Sequence, residues 1–315
     1  MLQLQKQILV TGGSGLVGRA IQNISNHFLD YNFIFINSSS YDLTDINQTK
    51  QMFDNYKPQY VIHLAACVGG LFKNMNEKVN MFEKNLMINY NIVKCSHDYG
   101  VKKFIGCLST CIFPDNITYP INETMLHNGP PHNSNSSYAY AKRMLEIHCN
   151  AYKEQYGDNF MCIIPTNIYG PYDNFNLFDA HVIPALIHKC YLAKINKEKF
   201  IVSGSGKPLR QFIYSDDLAK LIIKVLSSDS DIDNIILSVP ESDEISIGSV
   251  AQLIANEFDY EHMIEFDTSL SDGQYKKTAD NSKMKDLFDI EFISITDGIK
   301  KVVKWFIANY DNVRK

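Results

Sequence analysis

Gln7-Ile8-Leu9-Val10-Thr11-Gly12-Gly13-Ser14-Gly15-Leu16-Val17-Gly18 decides the fold. The apolar run Ile8-Leu9-Val10 reads as a strand buried on both faces. Leu16-Val17-Gly18-Arg19-Ala20-Ile21 then opens a helix. In this strand–turn–helix context, Gly12 permits the tight turn and Gly15 lets the backbone approach a pyrophosphate. Gly18 allows helix and strand to pack closely, and the helix N-terminus presents its N–H groups to phosphate.

The same alternation continues outward. Asn32-Phe33-Ile34-Phe35-Ile36-Asn37, Tyr60-Val61-Ile62-His63-Leu64-Ala65, Lys103-Phe104-Ile105-Gly106-Cys107-Leu108 and Phe160-Met161-Cys162-Ile163-Ile164 all read as strands. Residues 85–99 and 137–156 have helical spacing and end at Gly100 and Gly157. Strands separated by helices of this length predict an α/β fold: a Rossmann-like, doubly wound parallel sheet. After Gly170 the rhythm changes. Irregular segments at 171–180 and 203–210 lie among helices at 181–193, 215–226, 246–258 and 300–310. We expect a dinucleotide-binding domain over residues 1–170, with 211–238 returning to it. A smaller C-terminal α/β substrate domain is expected over 171–315.

The 315 residues are 45% hydrophobic, enough for a sizeable core, and carry a formal net charge of −5. A mildly acidic balance gives no support to nucleic-acid or anionic-membrane partners. Met1 to Gln7 has no basic-then-apolar leader pattern, and no stretch is apolar for long enough to span a bilayer. The seven cysteines are scattered, without a Cys-x-x-Cys pair. This argues against a disulfide framework or structural zinc and for a reducing, cytoplasmic location. His63, Cys67, His132 and His188 match no metal-ligand spacing, so no metal is expected. Lys300 to Lys304 reads as a solvated face, and Trp305 and Phe306 as core packing.

The chemistry concentrates in Ser136-Ser137-Tyr138-Ala139-Tyr140-Ala141-Lys142. Tyr138 and Lys142, four apart, share one helix face. A cation beside a phenol favours the phenolate, so Tyr138 is expected to titrate closer to neutral pH and to exchange a proton with a carbonyl oxygen. Ser109 ends a strand, where open parallel sheets bind ligands, and its hydroxyl completes a Ser–Tyr–Lys set. Cys111 lies two residues on. A thiol, with a reference pKa of about 8.5, suits removal of a proton next to a ketone. His181 follows the loop Asp173-Asn174-Phe175-Asn176 and is a candidate acid. Lys189 and Arg210 are candidates for holding a diphosphate. At the end of the second strand, Asn37-Ser38-Ser39-Ser40 offers neutral hydroxyls where a 2′-hydroxyl-binding carboxylate usually stands. With Arg19 nearby, this favours NADP, and Asp42-Leu43 is placed near the adenine.

Together these residues resemble the extended short-chain dehydrogenase/reductases, and among them the 3,5-epimerase/4-reductases of GDP-keto sugars. The matching segments include His63-Leu64-Ala65-Ala66, Val68-Gly69-Gly70, Ser109-Thr110-Cys111-Ile112-Phe113-Pro114 and Pro165-Thr166-Asn167-Ile168-Tyr169-Gly170-Pro171. His181-Val182-Ile183-Pro184, Arg210-Gln211-Phe212 and Ser271-Asp272-Gly273 extend the likeness to nearly the whole chain. The resemblance implies 3,5-epimerisation and then NADPH-dependent 4-reduction of GDP-4-keto-6-deoxy-D-mannose, giving GDP-L-fucose. Cys111 and His181 are the implied base and acid, with Ser109, Tyr138 and Lys142 serving the reduction. Cofactor contacts are implied at Gly12, Gly13, Ser14, Gly15, Leu16, Val17 and Gly18, and at Ser38, Ser39, Asp42 and Leu43. Further contacts fall at Leu64, Ala65, Ala66, Leu108, Ser109 and Lys142, and at Pro165, Thr166, Asn167, Ile168 and His181.

Lys189, Ser203, Arg210 and Asp272 are the implied GDP-sugar contacts. Ser203 stands where an aromatic contact to the nucleotide is common. Ser14 stands where bacterial members often carry a phosphate-binding arginine. The family also implies a homodimer, formed through helices 85–99 and 137–156. Two nucleotide-sugar alternatives differ at the site. A 4,6-dehydratase would show an Asp-Glu pair where Cys111-Ile112 stands, and a 4-epimerase needs neither Cys111 nor His181. A silent NADP-binding regulator would have lost Tyr138 or Lys142.

Overall fold

The computed structural model describes residues 5–270, 272 and 274–315. Ser271 and Gly273, two residues of the matching C-terminal segment, lie outside the described residues. The first half runs β1 (Lys6–Thr11), α1 (Leu16–Ser25), β2 (Tyr31–Ile36), α2 (Ile46–Tyr56), β3 (Tyr60–His63), α3 (Leu71–Asn76), α4 (Lys78–Asp98), β4 (Lys103–Cys107), α5 (Ser136–Tyr156), β5 (Phe160–Pro165) and β6 (Asn167–Tyr169). The second half runs α6 (Val182–Asn196), β7 (Phe200–Ser203), β8 (Leu209–Arg210), β9 (Phe212–Tyr214), α7 (Ser215–Ser227), β10 (Asn234–Leu237), β11 (Ile245–Ser246), α8 (Ile247–Glu257), β12 (Ile264–Asp267), α9 (Ser282–Leu287) and α10 (Ile295–Asn309).

Six strands form one parallel sheet in the order β10-β5-β4-β3-β1-β2. The chain moves one way from β1 to β2 and the other way from β1 to β3. The topological switch point, where open α/β sheets bind ligands, is therefore between Thr11 and His63 at the strands' C-terminal ends. Both faces are covered. Leu9 packs with Phe53, Ile92, Phe104 and Leu145 on the side of α2, α4 and α5. Ile8 and Val10 pack with Ile21, Leu218 and Leu221 on the side of α1 and α7. A third core, around Ile187, Phe200, Ile254 and Phe306, belongs to the smaller C-terminal part. Burial of whole aliphatic side chains on both faces, at roughly 1.5–3 kcal/mol each, explains why the strands are uninterrupted apolar runs.

The sequence placed a helix at 85–99, but α4 begins at Lys78. Its inward face carries Asn85, Asn89 and Asn91, each at most 2% exposed. Residues 78–84, which the sequence reading missed, bury only Met81 and so show no apolar stripe. The buried amide nitrogens are bonded: Asn85 donates to the carbonyls of Cys67 and Met81, and Asn91 to those of Leu43 and Thr44. Helix α2 was not anticipated at all. Asp45 caps it through the Asn47 amide, and Lys57 closes it in the left-handed conformation.

Candidate active site

The glycine turn is shaped by close backbone approach. Gly12 has φ +71°, and a Cβ there would stand 2.8 Å from the Ala65 nitrogen. A Cβ on Gly18 would stand 2.5 Å from the Gly12 carbonyl oxygen. Gly15 is the N-cap of α1; no side chain caps the helix, and its first turn holds no acid. Those N–H groups suit an anionic ligand. Beyond β2, the side-chain oxygen Oδ1 of Asn37 accepts from the amides and hydroxyls of Ser39 and Ser40, which leaves Ser38 at the exposed edge of the turn. Asp42 is exposed, and the Thr44 hydroxyl and amide hold its carboxyl below the usual range. Leu43 is buried and offers its carbonyl to Asn91. At the other end of the crevice, Thr166 follows β5 with a buried hydroxyl that has no partner among the described residues. Free N–H groups at the turn and hydroxyls at residues 38–40, with no acid among residues 37–40, fit a dinucleotide carrying an extra phosphate. Leu64, Ala65 and Ala66 form the facing wall after β3, and Pro165, Asn167 and Ile168 flank Thr166.

Arg19 does not lie free. Its guanidinium bonds Gln22 and stacks 5.6 Å from the Tyr172 ring.

Ser109, Cys111, Tyr138 and Lys142 converge at the end of β4. Leu108 is core, Ser109 caps the short turn Thr110–Ile112, and the Cys111 amide donates to the Ser109 hydroxyl at 3.4 Å. Lys142 is 2% exposed and donates to the Cys107 carbonyl at 2.7 Å. Its ammonium lies 5.8 Å from the centre of the Tyr138 ring. The spacing argument expected this cation to bring Tyr138 toward neutrality, and the structure corrects it. Burial, reinforced by the neighbouring Cys111, Cys107 and Cys67, pushes the phenol well above its ordinary value. Desolvation lowers Lys142 as well. Tyr138 is therefore a protonated donor at neutral pH. Cys111 is also raised by burial, with the Ser109 hydroxyl and then the Lys277 and Lys142 cations pulling it down.

Behind this cluster runs a chain of hydrogen bonds in one direction. The Ala65 amide donates to Thr11 Oγ1, and Thr11 Oγ1 lies 2.8 Å from His63 Nδ1. His63 Nε2 lies 3.0 Å from Asn89 Oδ1, and Asn89 Nδ2 donates to the Ala141 carbonyl. Because the Asn89 amide nitrogen is directed at Ala141, its oxygen accepts, and His63 carries its proton on Nε2. The relay fixes α5, which bears Tyr138 and Lys142, against β1 and β3.

His63 has no exposure, and burial depresses its pKa to about 3 from 6.5. Between those values the unfolded chain binds more protons than the folded one. The stability His63 contributes is intact above about pH 6.5 and is lost as pH falls toward 3, by up to about 1.4 kcal/mol per unit. Comparing denaturant midpoints of the wild type and His63→Gln from pH 7 to pH 5 should show a flatter profile for the variant. Parallel profiles would mean that His63 is not the titrating group.

His181 caps α6 at the exposed rim. The preceding loop is seated on the turn after β3: the Gly70 amide donates to the Asp179 carbonyl at 2.9 Å. That turn leads from Cys67, which neighbours Tyr138, so the loop faces the same end of the sheet. Asp173, in that loop, has a buried carboxylate oxygen without a partner among the described residues. Burial raises its pKa against the pull of His181.

The remaining expected contacts share one rim. Lys189 reaches the Ser203 hydroxyl at 3.4 Å. Asp272 accepts from the Ser205 amide and hydroxyl, and hydrogen bonds within the protein hold its carboxyl low. Arg210 donates to the carbonyls of Leu209 and Gln274. Sequence reading missed Lys277, Asn89, Asp173 and Gln274. Gln274 bonds the Tyr119 hydroxyl at 2.8 Å and closes the recess beside Cys111. Nothing in the local pattern around Gln274 or Lys277 sets them apart from ordinary surface residues.

A doubly wound sheet, a phosphate-shaped glycine turn at its switch point and a Ser–Tyr–Lys set with a buried lysine define a class, and the comparisons agree. Residues 8–239 match the NAD dependent epimerase/dehydratase family, and the chain belongs to it. Within that family it is similar to GDP-L-fucose synthases. The protein of that name from Dictyostelium discoideum is 52% identical over 314 residues, covering 99% of this chain and 98% of the relative. A probable GDP-L-fucose synthase from Drosophila melanogaster is 46% identical, covering 98% of this chain and all of that protein. Among solved structures, a GDP-L-fucose synthetase from Naegleria fowleri bound to NADP superposes with a TM-score of 0.94. It is 48% identical and covers 100% of this chain and 96% of that one.

Proposed function

We propose that this chain converts GDP-4-keto-6-deoxy-D-mannose to GDP-L-fucose, using NADPH, through two epimerisations followed by one reduction. The observation that carries the reading is that Cys111 lies beside Ser109 and Tyr138. Relatives that match over nearly the full length and bear the synthase name support it. NADP is the cofactor: the solved relative binds it, and residues 37–40 offer no carboxylate to repel a 2′-phosphate.

NADPH, when bound, supplies the hydride that reduces C4″. The chain's own residues do the rest. Gly12, Gly13, Ser14, Gly15, Leu16, Val17 and Gly18 cradle phosphate, and Ser38 and Ser39 receive the adenosine end beside Asp42 and Leu43. Leu64, Ala65, Ala66, Leu108, Pro165, Thr166, Asn167 and Ile168 enclose the nicotinamide end with His181. Lys189, Ser203, Arg210 and Asp272 hold the GDP-sugar. The C4″ ketone acidifies the hydrogens at C3″ and C5″. Cys111 takes the proton from one face and His181 returns one to the other. Ser109 and Tyr138 donate to the C4″ oxygen and stabilise the enolate. Epimerisation precedes reduction because reduction destroys the ketone that makes those hydrogens acidic. Tyr138, protonated at neutral pH, then gives its proton to the C4″ alkoxide, and Lys142 orients the nicotinamide ribose. Residues 1–170 and 211–238 act as the cofactor domain and 171–315 as the substrate domain.

The test is to incubate the protein with the keto sugar and NADPH. One NADPH should be consumed per sugar, and the product should be GDP-L-fucose. Turnover without net NADPH loss would point to a 4-epimerase.

The chain acts as a homodimer through α4 and α5. Met87, Tyr90, Met144 and Ile147 form an exposed apolar stripe on that helix pair, with Tyr90 47% exposed. Light scattering should give twice the 36.0 kDa chain mass, and Tyr90→Glu with Ile147→Glu should halve it. A monomeric wild type at micromolar concentration would end this assignment. Free cysteines throughout the chain suit the cytoplasm. No helix among the described residues is long and apolar enough to cross a membrane.

A further inference from the structure

Three consecutive residues tie α5 to the segments around it. The Ala141 carbonyl accepts from Asn89, Lys142 donates to the Cys107 carbonyl at 2.7 Å, and Arg143 Nε donates to the Ile112 carbonyl at 2.7 Å. Lys142 and Arg143 therefore grip the chain on either side of residues 108–111, the segment that carries both Ser109 and Cys111. Arg143 Nη1 reaches further, to the Gly129 carbonyl at 2.8 Å. Gly129 lies on the returning limb of a loop that leaves after Ile112. The two limbs run antiparallel, with Pro114 opposite Pro131 and the Asp115 amide donating to the Pro130 carbonyl at 3.0 Å. Between them the loop supplies Ile117 and Tyr119 to the wall of the recess beside Cys111. One planar guanidinium thus joins α5, the end of the thiol-bearing turn and the neck of the loop that walls it. Stability alone does not call for an arginine here. The side chain is 6% exposed, and its bonds to neutral carbonyls return less of the desolvation cost than a carboxylate would.

We propose that Arg143 is a positioning residue, which holds Ser109 and Cys111 at a fixed distance from Tyr138. The inference rests on the proposed function, with Cys111 as the base. Ser109 and Cys111 come from the turn and Tyr138 from α5, and all three must meet one hexose ring. Lys142 fixes the entry of the turn at Cys107, and Arg143 fixes its exit at Ile112. A misplacement of about 1 Å at a reacting group costs on the order of 10²-fold in rate. Arg143 also acts on Cys111 as a nearby charge, so geometry and charge have to be told apart. Lysine does this: it keeps the charge and loses the planar fork.

The test compares the wild type with Arg143→Met and Arg143→Lys. Solvent deuterium entry at C3″ and C5″ is measured against keto-sugar concentration, and amide hydrogen exchange of the free proteins is followed by mass spectrometry. Arg143→Met should slow deuterium entry at saturation by about 10–100-fold, with half-saturation and NADPH affinity within about threefold of wild type. Amides of residues 111–115 should exchange about tenfold faster, the order of one lost hydrogen bond, while those of the glycine turn keep their rate. Arg143→Lys should stay at least about fivefold slow in deuterium entry. If Arg143→Met fails to fold, Arg143→Gln is read by the same criteria. Faster amide exchange with normal deuterium entry would make Arg143 a brace of the fold only and overturns the proposal. Unchanged amide exchange also overturns it, as does a lysine variant with wild-type rates, which assigns the effect to charge. Absence of deuterium entry in the wild type would overturn the proposed function and this inference with it, whereas a result confined to the variants bears on Arg143 alone.

Discussion

Replacing Cys111 by Ser should abolish entry of solvent deuterium at C3″ and C5″ of the keto sugar while NADPH still binds. Serine keeps the size and the turn capped by Ser109. It replaces a thiol by an alcohol, a far weaker acid whose conjugate base is not accessible in water, so the exchange rate should fall by about 10²–10⁴-fold. NADPH affinity should stay within about twofold, because the glycine turn and Thr166 lie on separate loops, with no tie to the thiol. Exchange monitored by proton NMR in D₂O checks this, and a normal rate would remove Cys111 from the mechanism.

Replacing Tyr138 by Phe should separate the two halves of the reaction in the opposite sense. The ring and its packing remain, and only the hydroxyl is lost. Reduction loses its proton donor and should slow by about 10²–10⁴-fold. Exchange keeps Cys111, His181 and the Ser109 donor and should slow by less than tenfold. Burial holds the phenol well above its usual range, so the ratio of wild-type to variant reduction should not change between pH 6 and pH 8. Stopped-flow absorbance of NADPH and deuterium entry, followed side by side, provide the check. Equal loss of both activities would contradict the division of labour.

What could be read from the chain followed from whether a residue's role is local. The strand–turn–helix from Lys6 to Ser25 was legible because glycine spacing and an apolar run report backbone geometry directly. Tyr138 and Lys142 were legible as one helical face for the same reason. The pKa of Tyr138 was not. It depends on depth and on three thiols from distant segments, and the Lys142 ammonium is directed at Cys107 rather than at the phenol. The first turns of α4, residues 78–84, were hidden because they bury only Met81, too little to form an apolar stripe.

The central claim is that one recess first inverts two carbons and then reduces a third. The most direct measurement is a single turnover of the keto sugar with NADPH in D₂O. The account predicts one NADPH oxidised per GDP-L-fucose formed, with deuterium at C3″ and C5″ and hydrogen at C4″. Stoichiometric NADPH oxidation giving a sugar without deuterium at those two carbons would contradict it.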